Sequence, residues 1–100
     1  MDLCLAFDET FDLCLNSYKQ IKCSYIKKKN LNSGIIIMKA PDVYSAPFGN
    51  IIKFKLTRKT DNISYIIVEC YPTIKTSLID NGVNLKNMET IIKYLKKVQN

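Results

Sequence analysis

Two kinds of apolar spacing share this chain, and their order constrains its fold more than any single motif. Near the start, Phe11, Cys14, Leu15 and Tyr18 recur at i, i+3, i+4 and i+7. Near the end, Leu85, Met88, Ile91, Ile92, Leu95 and Val98 make a similar stripe. That spacing lines up side chains along one side of an α-helix. Between the two stripes the period falls to two. Ile52, Phe54 and Leu56, for example, alternate with Ile51, Lys53, Lys55 and Thr57. Alternation sends successive side chains to opposite faces of a strand.

The elements follow from these periods and from the turn residues between them. Residues 2–7 read as a short first strand, with Asp8 as the N-cap of a helix over 9–20. Glu9 and Asp12 suit the positive end of that helix dipole. A strand follows over 21–29, with Ile21, Cys23 and Tyr25 on one face and Lys22, Ser24 and Lys28 mostly on the other. Asn30 to Gly34 is turn chemistry, and Ile35 to Met38 closes a hairpin. Two longer strands, from Ile51 and from Ile63, flank a turn at Lys59 to Asn62, and Pro72 ends the second. Asp80-Asn81-Gly82 turns the chain into the last helix, with Asn84 as N-cap and Val83 and Met88 as a hydrophobic staple. The predicted order is β-α-β-β-β-β-α. Short turns pair neighbouring strands antiparallel. Both helices must bury their stripes, and one sheet face is available for that. The expectation is therefore α+β: a two-layer sandwich of a five-stranded, mainly antiparallel sheet with two helices on one face. At 100 residues this is one domain over 1–100.

The composition removes several kinds of chemistry. There is no His, so no Ser-His-Asp or Cys-His site is possible within the chain. Cys4, Cys14, Cys23 and Cys70 are unevenly spaced and form no C-x-x-C pair, so no metal or other cofactor is expected. Reduced thiols in apolar stretches act as small hydrophobes. Asp8, Glu9 and Asp12 belong to a helix start, and Glu69 is the one acid inside a strand, with Lys53 or Lys55 as its expected cross-strand partner. The chain reads as a non-enzyme. Its first residues lack a basic segment and their apolar run stops at Asp8, which is not a secretory signal. No run approaches the ~20 apolar residues of a membrane span. A cytoplasmic protein without a membrane span is expected.

Ser45 and Gly49, Tyr71-Pro72, Leu78, Asp80-Asn81-Gly82 and a helix from Asn84 fall in a recurring order. In that order the chain resembles small, uncharacterised bacterial α+β domains over nearly its whole length. Those domains carry an aromatic residue where Asn81 stands here. The resemblance implies the same α+β fold and says nothing about an activity.

Fifteen basic residues against nine acidic ones give a net charge of +6. Arg58 is the sole Arg, and Ile and Asn are abundant. That is the residue usage of an AT-rich genome, whereas phosphate recognition favours Arg. Two places remain where binding is expected. One is the sheet face away from the helices, carrying Lys22, Lys28, Lys53 and Lys55 beside Tyr65 and Tyr71. Ile36, Met38, Ile51 and Ile67 fall on the same face by alternation, although the all-apolar run 35–38 leaves its own parity open. The other is the loop pair 41–50 and 72–84, with Ser45, Gly49, Thr73, Ser77 and Asn84. The expected function is a non-catalytic interaction module that binds a protein partner or forms a homodimer through this face or these loops. The alternatives are nucleic acid or an anionic surface on the Lys/Tyr face, and a small apolar ligand between helices and sheet.

Overall fold

The computed structural model describes residues 1–40, 49–72 and 83–99. Five strands form one sheet: β1 (Asp2–Leu3), β2 (Tyr25–Asn30), β3 (Ile35–Ala40), β4 (Asn50–Thr60) and β5 (Ile63–Pro72). Their order across the sheet is β1-β5-β4-β3-β2, with antiparallel neighbours throughout. Two helices, α1 (Phe7–Asn16) and α2 (Val83–Gln99), complete an α+β fold. A 3-10 turn, Ser17–Gln20, continues α1.

Both helices pack on one face of the sheet, but the last stripe is only partly buried: Ile91 and Leu95 are enclosed, Met88 and Ile92 are half-buried, and Val98, near the end of the helix, is exposed. Phe11, Leu13 and Cys14 of α1 and Ile91 and Leu95 of α2 join Ile36, Met38, Ile52, Phe54, Leu56 and Ile66 in a single apolar cluster. Each such side chain removed from water stabilises the fold by about 1.5–3 kcal/mol before entropy is counted. Ser17 is also buried, and its hydroxyl donates to the Cys14 carbonyl at 2.6 Å. Neither helix, among the described residues, is long and apolar enough to cross a membrane.

One glycine decides how the β2–β3 hairpin meets the sheet. Gly34 has φ +68°, a conformation that side chains disfavour. Its carbonyl accepts from the Leu56 N–H at 2.8 Å. A Cβ at Gly34 would collide with the Leu56 carbonyl.

The first quarter of the chain departs from the sequence expectation. The first strand is two residues long, not six, because the chain turns at Leu5, whose carbonyl accepts from the hydroxyl of Ser64 at 2.9 Å. α1 then begins at Phe7, with Ala6 at the N-cap, so Asp8 stands inside the first turn and not at the cap. Its buried side is Thr10, Phe11, Leu13 and Cys14, with Leu15 and Tyr18 only half-buried. β2 starts at Tyr25, not Ile21. Cys23 lies in the preceding turn at φ +64° and is exposed, and Tyr25 points outward with Lys39 as its neighbour. Ser24 holds this turn, its hydroxyl donating to the Ile21 carbonyl at 2.8 Å. A bulge between Ile26 and Lys28 shifts the phase of β2 again. At the other end, α2 has begun by Val83, which places Asn84 in its first turn and not at its N-cap.

Candidate functional site

Strand pairing assembles the outer face row by row, because residues opposite each other in a sheet share a face. The first row reads Tyr25, Lys39, Ile51, Tyr71 from β2 to β5. The middle row reads Lys28, Ile37, Lys53, Glu69. The third reads Asn30, Ile35, Lys55, Ile67. Beyond it, Thr57 and Tyr65 lead to Asp2 on β1. Apolar and charged side chains are thus interleaved across the face, each isoleucine having a lysine beside it on a neighbouring strand.

The structure brings Lys53, Lys55, Tyr65 and Tyr71 onto this face together. Glu69 stands directly across from Lys53. Tyr25, Tyr65, Ile67 and Tyr71 are 37–48% exposed, a large value for apolar residues inside a sheet. Lys22 is not on the face. It lies in the turn before β2, because the strand begins later than the alternation suggested. Ile36 and Met38 are corrected as well: both are fully buried on the helix side, and Ile35 and Ile37 take the outer positions. The pairing of Ile36 with Phe54 and of Met38 with Ile52 decides that parity.

Sequence reasoning missed Tyr25 and Lys39 on this face. The signal was present in the sequence as a Lys-Ala end to strand β3, but a run of four apolar residues concealed its phase.

The second candidate, the loop pair, is described only at its ends. Ala40, Asn50 and Pro72 lie side by side, so the chain leaves the sheet toward both loops at one end, and returns from the first of them there at Asn50. Gly49 is buried and has φ +76°. Asn50 is fully buried, and its amide nitrogen and oxygen have no hydrogen-bond partner among the described residues. Ser45, Thr73 and Ser77 lie outside the described residues, as do Thr76, Gly82 and the Asp80-Asn81-Gly82 turn.

A third surface lies along the free edge of β2. A groove of about 440 Å³ runs between α1 and this strand, lined by Leu15, Tyr18, Ile26 and Lys27 to Lys29. Three consecutive lysines and a bulge are devices that discourage an added strand. Among the described residues no strand pairs with this edge.

The thiols separate into two kinds. Burial pushes Cys14 from an ordinary value near 9 up to about 12, which keeps it a protonated, inert core residue. Cys4 and Cys23 are exposed. No three His, Cys, Asp or Glu among the described residues are grouped so as to hold a metal ion.

No protein-family model matches the sequence, and no curated protein matches it. The chemistry of the surface is therefore what carries a functional reading.

Proposed function

We propose that the protein is a non-catalytic interaction module that binds a protein surface through the outer face of its sheet. One observation carries this reading. Ile35, Ile37, Ile51 and Ile67, with Tyr25, Tyr65 and Tyr71, stand on a face opposite both helices. Partly exposed isoleucines and tyrosines interleaved with lysines make a mixed apolar and charged surface of the kind that docks on another protein. Exposed tyrosines add rigid contact area with a polar tip. The interior supports the same choice over an apolar ligand, because large side chains fill the region between helices and sheet. A cytoplasmic setting suits Cys4 and Cys23, since exposed thiols stay reduced there.

Nucleic acid is the second reading, favoured by Lys28, Lys39, Lys53 and Lys55 among the three tyrosines. Glu69 in the middle row and the interleaved isoleucines weigh against a phosphate-tracking groove.

The test is capture from native cell extract with the wild-type chain and with an Ile37→Glu/Ile67→Glu variant. A protein, or a second tagged copy of this chain, held by the wild type and released by the variant is the expected result. Equal capture by both would overturn the outer-face reading. A low-salt shift of single-stranded DNA or RNA, lost as salt rises and lost in Lys53→Glu/Lys55→Glu, would favour nucleic acid instead.

A further inference from the structure

We infer that the outer face binds a second copy of this chain, about a two-fold axis running along the strands between β3 and β4. The inference rests on the outer-face reading and names its partner. In a two-fold pair the same patch meets itself, so the pattern of the face must be self-complementary.

The rows make this a definite test. A two-fold axis lying in the interface along the strands keeps each row in place and exchanges its ends. β2 of one copy then covers β5 of the other, and β3 covers β4. In the middle row, Lys28 of each copy meets Glu69 of the other, and Ile37 meets Lys53. In the first row Tyr25 meets Tyr71, and Lys39 meets Ile51. In the third, Asn30 meets Ile67, and Ile35 meets Lys55. No lysine meets a lysine in any of these three rows. Each central lysine lays its aliphatic stem on an isoleucine.

The competing axis, in the same plane but across the strands, behaves differently. It turns the middle row onto itself, setting Lys28, Lys53 and Glu69 each against its own copy. Three like-charge contacts oppose that arrangement. The charge pattern therefore selects the axis along the strands.

The sheet's twist displaces Lys28 and Glu69, at the two ends of the middle row, by about 3–4 Å, which a lysine side chain can span. Packed sheets sit rotated by about 30°, and the displacement grows with distance from the axis centre. The middle row is nearest that centre. Glu69 is then held between Lys53 beside it in its own sheet and Lys28 of the second copy. Lys39 and Lys55 lie in the outer rows, where their ammonium groups reach water at the ends of the face.

Size sets the strength. Four strands about 4.8 Å apart and about 20 Å long give a face of roughly 400 Å² in plan. That is a small interface, so the dimer dissociates within a measurable concentration range.

Sedimentation velocity from about 1 µM to about 1 mM, in low salt, tests this. The expected result is a concentration-dependent shift from 11.5 kDa to twice that mass. Lys28→Glu and Glu69→Lys each weaken the dimer about tenfold or more, since symmetry makes each change twice. The double variant Lys28→Glu/Glu69→Lys recovers at least about threefold of the association lost in Glu69→Lys alone, because it restores an opposite pair between the copies while leaving a lysine beside Lys53 within each sheet. Circular dichroism on all three variants confirms that they fold. A wild-type chain still monomeric at about 1 mM overturns the second copy; capture with Ile37→Glu/Ile67→Glu then decides separately whether the face binds another protein. A dimer indifferent to the single changes, or not restored by the double, overturns this axis.

Discussion

On the inner face of the sheet Ile52 and Phe54 are wholly buried, while one residue along the same strand Lys53 and Lys55 reach toward water. The two faces share every backbone hydrogen bond and differ in what covers them and in where charge stands. The inner face is covered by α1 and α2, and it holds large apolar residues with no charge among its fully buried members. The outer face is as rich in isoleucine, yet a charged residue stands beside nearly every one. An apolar strand residue therefore does two jobs in this molecule. Inside, it contributes stability through close packing. Outside, it leaves apolar area accessible, and the lysines around it set what can dock.

The comparison breaks most visibly under truncation. Phe54→Ala empties a fully buried site, and the expected loss is about 3–5 kcal/mol by urea unfolding. Ile67→Ala, on the outer face, should cost less than about 1 kcal/mol, because Ile67 is already 40% exposed. Equal losses would mean that something covers the outer face within one chain.

Gly34→Ala tests how tightly the hairpin is held to β4. It adds a strained φ and a clash with the Leu56 carbonyl, so a loss of about 2 kcal/mol or more is expected. A neutral result would show that the hairpin shifts freely against its neighbour.

Cys14 sharpens the inner side through pH. Its folded value is raised to about 12 from near 9. Between those values the unfolded thiol gives up its proton and the folded one keeps it. The folded state then binds more protons, so stability falls as pH rises. Cys14 contributes fully below about pH 9, and the decline reaches up to about 1.4 kcal/mol per pH unit above it. Cys14→Ala should flatten that part of the stability profile. A thiol reagent at neutral pH should label Cys4 and Cys23 and spare Cys14 in the native chain.

Asn50 is the exception on the inner face, a buried amide with no hydrogen-bond partner among the described residues. Asn50→Leu removes that polar group and keeps its branched shape. The expected change is within about 0.5 kcal/mol of neutral or stabilising, where a bonded amide would cost about 1–3 kcal/mol. A large loss would reveal a hydrogen-bond partner for Asn50 in solution.

The α+β order and the β4–β5 hairpin were legible in the sequence because local signals agreed there. Ile52, Phe54 and Leu56 alternate cleanly, Pro72 stops β5, and the last stripe predicts Ile91 and Leu95 as buried. Most of the outer face was legible for the same reason, since Lys53 and Lys55 mark its phase. The first quarter was not. Residues 2–7 alternate as a strand does, yet the chain turns at Leu5 to bring α1 over the sheet. Residues 21–29 also alternate, but a turn at Cys23 and a bulge after Ile26 reset their phase. Neither event leaves a local mark, because no Gly or Pro signals it.

Periodicity and turn chemistry determined the order of the elements and the antiparallel β2–β3 and β4–β5 hairpins, since these depend on residues close together in the chain, whereas the β1–β5 pairing joins distant ones. Only the tertiary structure decided which face Ile35 to Met38 present. An all-apolar run has no preferred side until a neighbour supplies one. Here β4 supplies it, setting Ile36 beside Phe54 and Met38 beside Ile52, and so leaves Ile35 and Ile37 on the face that remains open.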